Sequence, residues 1–507
     1  MATICVDHLP RTPSPHLRSP VPTAPHARRP GLAVAALALG GLVAALTQTL
    51  VIPIQSELPS LLGADASDTA WVVTVTLLTA AVTMVVSGRL GDLVGKKPVL
   101  LGSAAVLAVA SAVVALSDSL VPVLVGRALQ GLAMGFIPVG IALVREIVPR
   151  ERAATAVATI SATLGVGGAV GLPLSAWIVQ VGDWHALFWV SGGAALVVLV
   201  AVAVLVPHVR DEAPDGARGA LDPAGALLLA VGLVAFLVGV SKATTWGWSD
   251  ARTVGSIVGG LLALVGFGAW ELRHPDPLVD LRASARRPVL MTNLAAVAIG
   301  FGMMAQSVVV PQLLQLPEAT GYGLGQSVLA AGLWMAPGGL MMLVFAPVSS
   351  RLMGSVGART TLMVGAAVLA LGYLVATLLT GAPWQLMVAS LVCSAGVGIG
   401  YAAMPTIIMD HTEPREAGAA VGLNALSRSV GTTLAAALMG TVLASNTTEL
   451  APGVSLPTQG AFTACFLIGA AAAVVGVLLM LTVPARAPRA VAAPPVADDD
   501  AQPVGVA

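Results

Sequence analysis

Apolar runs separated by short polar breaks occupy nearly all of residues 31–484. Fourteen of these runs, near 32–54, 70–87, 98–116, 120–143, 155–178, 187–206, 223–241, 253–271, 289–314, 326–347, 360–380, 385–409, 417–444 and 461–483, approach the roughly 20 apolar residues that a helix needs to cross a bilayer. Lone strands and lipid-exposed loops would leave backbone groups without partners in hydrocarbon. The pattern therefore predicts an all-α integral membrane protein with fourteen transmembrane helices. The two ends read differently. Residues 1–30 hold seven prolines, four arginines and three histidines without an apolar core segment, so a disordered tail is expected there rather than a cleaved signal peptide. Residues 485–507, with their Asp498-Asp499-Asp500 run, are expected to be a second solvated tail.

Composition strengthens this reading. Of 507 residues, 57% are hydrophobic and only 10% charged, against about 25% charged in soluble domains. Formal charge is zero, and no basic patch suggests nucleic acid as a partner. The distribution of charge is informative where its sum is not. With the amino terminus inside, these spans place all of the 25 lysines and arginines on the cytoplasmic side except four. Lys242 and Arg252 fall outside, and Arg127 and Arg428 fall within spans. Cytoplasmic loops carry such an excess when a topology is right, so both termini are expected in the cytoplasm of a multi-pass protein of the plasma membrane. Cys393 and Cys465 lie within spans and Cys5 in the leading tail, a spacing that suggests no disulfide framework. The preference for Arg over Lys, with abundant Ala, Gly and Val, fits a GC-rich bacterial genome.

The densest chemistry is the segment 88–97, Gly-Arg-Leu-Gly-Asp-Leu-Val-Gly-Lys-Lys, a charged turn between two apolar runs. A weaker copy, Arg351-Leu-Met-Gly-Ser-Val-Gly-Ala-Arg359, begins 262 residues after Arg89. It aligns Arg351, Leu352, Gly357 and Arg359 with Arg89, Leu90, Gly95 and Lys97, and puts Gly354 where Asp92 stands. Two such copies, each between two spans, mark two related halves. Glycines there permit a tight turn and close helix approach, and Asp92 is suited to the amino terminus of a helix, where a carboxylate contributes about 0.3–1 kcal/mol. Lys96 and Lys97 also read as ordinary cytoplasmic anchors.

The segment with Gly88, Leu90, Gly91, Asp92, Gly95, Lys96 and Lys97 resembles the loop signature of the major facilitator superfamily, between its second and third helices. The resemblance implies two six-helix halves, 31–207 and 289–484, with 208–288 holding two inserted helices and their flanking loops. It also implies that Asp92 latches one conformation, with the start of the thirteenth span near Glu416 as its partner, and that Gly88, Asp92, Gly95, Lys96, Lys97 and Arg351 form a conformational gate. In the fourth span Leu124-Val-Gly-Arg127-Ala-Leu-Gln130-Gly131 and Gly135 are similar to the family's second signature. An Arg at membrane depth costs about 2.5–3.5 kcal/mol on insertion scales, so Arg127, sharing a face with Gln130, is expected to meet a wet cavity and a partner, unless it snorkels outward. Gly167, Gly171 and Pro173 in the fifth span resemble the antiporter signature, although the family's adjacent Gly-Pro is here interrupted by Leu172. A packing face is the alternative, since Gly167 and Gly171 form a small-xxx-small step.

Trp246-Gly-Trp248-Ser249, Pro277-Leu-Val-Asp280 and residues 315–337 resemble the fourteen-span drug:proton antiporter branch. That branch carries Leu-Asp-x-Thr in its first span, whereas this chain has Leu46-Thr47-Gln48-Thr49. No carboxylate lies near a span centre, which leaves Glu57, and after it Asp410, as candidates for the coupling proton. By the family's geometry, spans one, four, nine and twelve line a central cavity, and Gln48, Arg127, Gln130, Asn293, Gln306 and Gln312 are its candidate polar groups beside Met303, Met304 and Met404. Each amide fits helix-to-helix glue equally.

Taken together these features predict a monomeric secondary transporter that exports small amphipathic compounds by proton antiport, without cofactor or metal, its partners being the small-molecule substrate and the lipid bilayer. An importer or exporter of another small metabolite shares the same fold-level evidence. A membrane-embedded enzyme is disfavoured: no histidine lies within a span, no HExxH occurs, and no carboxylate pair sits at membrane depth.

Overall fold

A computed structural model of the chain describes residues 29–209 apart from 56, together with 220–451 and 454–484. The expected tails, Cys5 and the terminal acidic run lie outside the described residues. Among the described residues, apolar content rich in the helix formers Ala and Leu produces fifteen main helices. The first half contains α1 (Pro30–Thr49), α2 (Trp71–Val94), α3 (Lys96–Ala115), α4 (Leu120–Leu132), α5 (Phe136–Ile147), α6 (Arg150–Val181) and α7 (His185–Leu205). Two helices follow, α8 (Pro223–Trp246) and α9 (Ala251–Glu271). The remainder comprises α10 (Arg287–Gln315), α11 (Val328–Leu378), α12 (Pro383–Tyr401), α13 (Ala403–Asp410), α14 (Ala417–Ser445) and α15 (Gln459–Leu481). A short antiparallel hairpin, β1 (Thr447–Ala451) with β2 (Val454–Pro457), joins α14 to α15 and was not foreseen from the apolar pattern.

Twelve helical stretches are long and apolar enough to cross a membrane, or thirteen if α6, bent by 47° between Gly168 and Pro173, counts as one more. One of the twelve is α11, whose 51 residues would run about 75 Å at 1.5 Å per residue, more than twice the hydrocarbon thickness. Its backbone leaves the helix once, at Gly357 with φ 84° and ψ 160°. The expected fourteen depends on reading α11 as two crossings that meet there.

The charged segment 88–97 is not the ten-residue turn its composition suggested. Helix α2 continues through Asp92 to Val94, Gly95 alone departs (φ 96°, ψ 147°), and α3 starts at Lys96. Gly357 adopts nearly the same pair of angles at the aligned position, so the duplication read in the sequence extends to the backbone. A positive φ of this size suits glycine and strains other residues. Two further expected spans are broken rather than straight. The fourth becomes α4 and α5 around a 3-10 turn at Ala133–Gly135, and the twelfth becomes α12 and α13 at Ala402.

Two seams join the halves. Along one, α2 crosses α14, and along the other α6 crosses α11. Both need small residues. A Cβ on Gly88 would lie 2.2 Å from Gly418 O, and one on Gly422 would lie 2.2 Å from Met84 O. On the second seam a Cβ on Gly165 would strike Met342 Sδ, and Thr155 Oγ1 lies 2.6 Å from Ser350 Oγ. By contrast α1, α4 and α10 pack within their own halves. The seams therefore close the molecule toward the Asp92 end, where α5 also packs on α14.

Helices α8 and α9 pack on each other and cover only the α2–α14 seam. Their mutual contact is close because Gly232, Gly239 and Gly260 present no side chain, a Cβ on Gly260 lying 2.4 Å from Phe236 N. Leu229, Leu233 and Leu237 of α8 share one buried cluster with Leu78, Ala81 and Val85 of α2 and Leu426 of α14. Leu278 and Val279, from the Pro277–Asp280 segment, complete it.

Backbone contact leaves no room at the first seam. Gly422→Val should destabilise the purified protein by about 1–3 kcal/mol, the usual cost of overpacking, seen as a lowered thermal midpoint in detergent. Gly354→Ala, where a Cβ would meet nothing within 4 Å, should leave the midpoint unchanged.

Candidate functional site

The first turn of any helix leaves backbone N–H groups without intrahelical acceptors. In α14 the acceptor comes from the opposite half. Asp92 Oδ1 accepts from Gly418 N at 3.1 Å and Oδ2 from Ala419 N at 2.9 Å. The carboxylate thus caps α14 in trans, at the end whose partial positive charge favours it. Its side chain is fully buried. The donors are main-chain groups just past Glu416, so the expected neighbourhood is right while the Glu416 side chain takes no part in the cap. Gly88 and Gly418 make the approach possible, since a Cβ on Gly418 would lie 2.7 Å from Asp92 Oδ1.

Lys96 is more than a surface anchor. It is buried, with Nζ 3.4 Å from Asp92 Oδ1 and 2.6 Å from Glu146 Oε1 on α5. A buried carboxylate without a countercharge is costly, and Lys96 supplies that charge while tying α2, α3 and α5 together. Next to Glu146, Arg145 forms an ion pair with Asp410 of α13, in the other half. Asp410 is therefore a second cross-half contact. The sequence alone could not match two charges 265 residues apart.

Lys97 and its aligned residue Arg359 do the same work in the two halves. Lys97 Nζ donates to Ala203 O at the end of α7 (2.8 Å). Arg359 Nε and Nη2 donate to Met480 O (2.9 Å) and Leu481 O (3.1 Å) at the end of α15. Cations suit helix carboxyl ends, and each closes its half by binding the last helix to the third-helix position. The copies diverge at the gate itself: Arg351 is exposed and Gly354 touches nothing within 4 Å. Arg351 therefore does not join the contacts around Asp92.

Arg127 is 1% exposed, which excludes outward snorkelling. It does not meet a carboxylate. Nε donates to Val72 O (3.0 Å), and Nη1 to Thr47 O (3.1 Å) and Gln130 Oε1 (2.7 Å). Gln130 Nε2 continues to Ser111 Oγ (3.0 Å), which is joined through Ser191 to Thr47. Neutral dipoles from α1, α2, α3 and α7 thus solvate the guanidinium and knit the first half at membrane depth.

A second polar network was only half legible. Arg428 was visible as an intramembrane charge, yet its partners come from distant segments. Nε donates to Tyr401 Oη (2.8 Å), Nη1 to Asn424 Oδ1 (2.5 Å), and the guanidinium lies 4.5 Å from the Tyr401 ring centre. Asn424 Nδ2 donates to Asn293 Oδ1 at 3.0 Å. Asn293 is thus glue between α10 and α14.

The other expected site residues scatter. Gln306 is buried near Tyr373, whose hydroxyl bonds Gly302 O. Gln48 is half-buried, and Gln312 is exposed. Glu57 is exposed on the connection after α1, where its main-chain O accepts from Ser60 and Leu61, so it lies away from membrane depth and from the networks above. Gly167 and Gly171 face α1. A Cβ on Gly167 would lie 2.5 Å from Ala45 Cβ, and one on Gly171 would strike Thr49 Oγ1. Pro173 stands at the α6 bend, where it removes a helical hydrogen bond.

Comparison with known proteins places this geometry. A family profile described as Major Facilitator Superfamily matches residues 37–315 and 292–504. The tetracenomycin C resistance and export protein of Streptomyces glaucescens is 29% identical over 440 residues, covering 84% of this chain and 78% of that one. The cephamycin export protein of Amycolatopsis lactamdurans is 30% identical over 393 residues, covering 76% and 79%. Among solved structures, a human organic anion transporter superposes with a TM-score of 0.63, covering 89% of this chain and 99% of that one at 17% identity. At that identity the likeness concerns the fold alone.

Two charged contacts close the Asp92 end. Asp92→Asn leaves one oxygen to accept and turns the other into a donor aimed at Ala419 N or Gly418 N. The closed arrangement should lose about 1–3 kcal/mol, the cost of an unsatisfied buried group. With Cys5, Cys393 and Cys465 replaced by Ala, a Ser429→Cys reporter on the α2–α14 seam should then react several-fold faster with a polar maleimide. Unchanged labelling would mean that the cap does not hold the seam shut.

Proposed function

Because the chain belongs to the Major Facilitator Superfamily, and is thus a multi-pass membrane transporter rather than an enzyme, we propose that it exports small amphipathic compounds, antibiotics among them, by alternating access coupled to proton entry. The observation that carries this reading is the Asp92 cap on α14. It is a joint between halves, made of hydrogen bonds and charge, that must break for the closed end to open. The names of the Streptomyces and Amycolatopsis relatives support export and an antibiotic-like cargo.

The positive-inside distribution of Lys and Arg supports placing the Asp92 end in the cytoplasm. On that reading the described conformation is closed inward, with α1, α4 and α10 bordering the space between the halves. Opening inward breaks the Asp92 cap and the Arg145–Asp410 pair. Coupling then has carboxylates to use at the gate rather than at membrane depth: Asp92, Glu146 and Asp410. Protonation of Asp92 or Asp410 removes charge from a contact that closes the cytoplasmic end, and protonation of Glu146 removes it from the Lys96 pair that supports Asp92. Proton occupancy and gate opening are thereby linked, with no need for an acidic residue in the first span or for Glu57.

The test is transport in inside-out vesicles with a set of anionic, neutral and cationic fluorescent dyes. At least one dye should accumulate when the lumen is made acidic, and a protonophore should abolish the accumulation. Asp92→Asn and Arg145→Ala should each slow it by about ten-fold, the effect of roughly 1.4 kcal/mol at the gate, at normal levels of inserted protein. Failure of every dye to respond to the gradient would defeat proton-driven export. Accumulation only in right-side-out vesicles would favour import.

A further inference from the structure

Two guanidinium groups lie at membrane depth, and among the described residues neither is within ion-pair distance of a carboxylate. Among the described residues, the apolar interior therefore carries positive charge with no carboxylate paired to it. A charge in that position is expensive and is retained where it faces a cavity or a partner. Arg127 receives two backbone carbonyls and an amide from its own half. The setting of Arg428 differs. Its acceptors are side-chain oxygens only, the phenol Tyr401 Oη and the amide Asn424 Oδ1, with no backbone carbonyl among them, and among the described residues Nη2 has no acceptor in either arginine. The side chain is 5% exposed against 1% for Arg127.

The surroundings hold this guanidinium in one orientation. Tyr401 ends α12 at the break before α13, and both its ring and its hydroxyl engage Arg428. Asn424, one turn earlier on α14, is itself held by Asn293 of α10. The backbone of α10 is pressed against the same place, since a Cβ on Gly300 would lie 2.4 Å from Arg428 O. The next residue, Ser429, reaches Met84 Sδ of the first half at 3.6 Å. Arg428 thus sits where α10, the α12–α13 break and the α2–α14 seam converge. Planar, fixed and weakly hydrated, a guanidinium of this kind is suited to a carboxylate or a similar anion.

We propose that Arg428, oriented by Tyr401 and Asn424, holds the acidic group of the cargo, and that the cargo is an amphipathic organic anion with a carboxylate or ionised phenol on an apolar body. The inference rests on the reading of the chain as a transporter with an opening between its halves. Anion binding supplies the countercharge that no described residue provides, and the ring of Tyr401 offers apolar contact beside it. Rearrangement of the α2–α14 seam moves Ser429 relative to Met84, so the same movement that opens the gate alters the border of this site.

Binding to the purified, detergent-solubilised full chain tests the idea separately from export. Anthracene-9-carboxylate and its methyl ester share one apolar body, and both are followed by fluorescence at neutral pH, where the acid is ionised. The acid should bind about ten-fold or more tightly than the ester, as expected for a charge-assisted contact. Arg428→Gln should abolish that preference, Arg428→Lys should keep part of it, and Tyr401→Phe should weaken acid binding a few-fold while leaving the ester unaffected. Equal binding of acid and ester by the wild type, or an undiminished preference in Arg428→Gln, would overturn the proposal. If the variants do not fold, as judged by their melting profile, the wild-type comparison of acid and ester decides alone. Tight acid binding without transport into vesicles would count against the exporter reading and leave this site standing.

Discussion

The main-chain amides at the start of α14 must be satisfied at a buried interface, and the satisfying group belongs to the other half of the molecule. From this one requirement much of the closed end follows. For the carboxylate of Asp92 to reach Gly418 N and Ala419 N, two helices must touch at their backbones, which explains glycine at 88, 418 and 422. A buried carboxylate needs a cation, which explains why Lys96 is turned inward rather than toward solvent. Lys96 in turn engages Glu146 on α5, and the neighbouring Arg145 pairs with Asp410 across the halves. Removal of Lys96 would leave the Asp92 carboxylate buried without its countercharge, whereas the Arg145–Asp410 pair is partly open to solvent.

Duplication accounts for the frame and divergence for the gate. The glycine hinges at 95 and 357, and the cations at 97 and 359 that end on the last helix of each half, are repeated closely. The trans cap is not repeated, because Gly354 has no side chain to offer. Its seam relies on a hydroxyl contact, Thr155 with Ser350, and on Gly165 against Met342. The inserted α8 and α9 add to this asymmetry by covering only the seam that carries the cap. Charge thus concentrates on one of two otherwise related joints.

Much of the site could be read before any coordinates, and the reasons for the remainder are specific. That Asp92 suits a helix amino terminus follows from a short acidic residue among glycines, whereas the choice of the thirteenth span as its partner comes from the family resemblance. Gly167 and Gly171 were identifiable as a contact face by their four-residue step. The amides were ambiguous: the same residue type gives glue at Asn293, a link in the Arg127 network at Gln130 and an exposed side chain at Gln312. Glu57 is a candidate only for lack of a carboxylate at depth, and the structure places it exposed on the connection after α1. Asp410 and Tyr401 acquire their roles from partners 265 and 27 residues away, which no local pattern encodes.

Hydrophobic run length, the asymmetry of basic residues and the repeated loop determined a helical membrane protein of two related halves, because the bilayer penalises exposed backbone and misplaced charge whatever the details of packing. Tertiary structure decided where polar groups meet. It turned an expected ten-residue charged turn into two helices that meet at a single glycine, and an expected anchor lysine into a buried bridge. It also left Arg428 with an orientation but, among the described residues, no countercharge. Those outcomes depend on which helices lie side by side, and helix adjacency is set by side-chain and backbone complementarity across hundreds of residues rather than by the pattern within any one span.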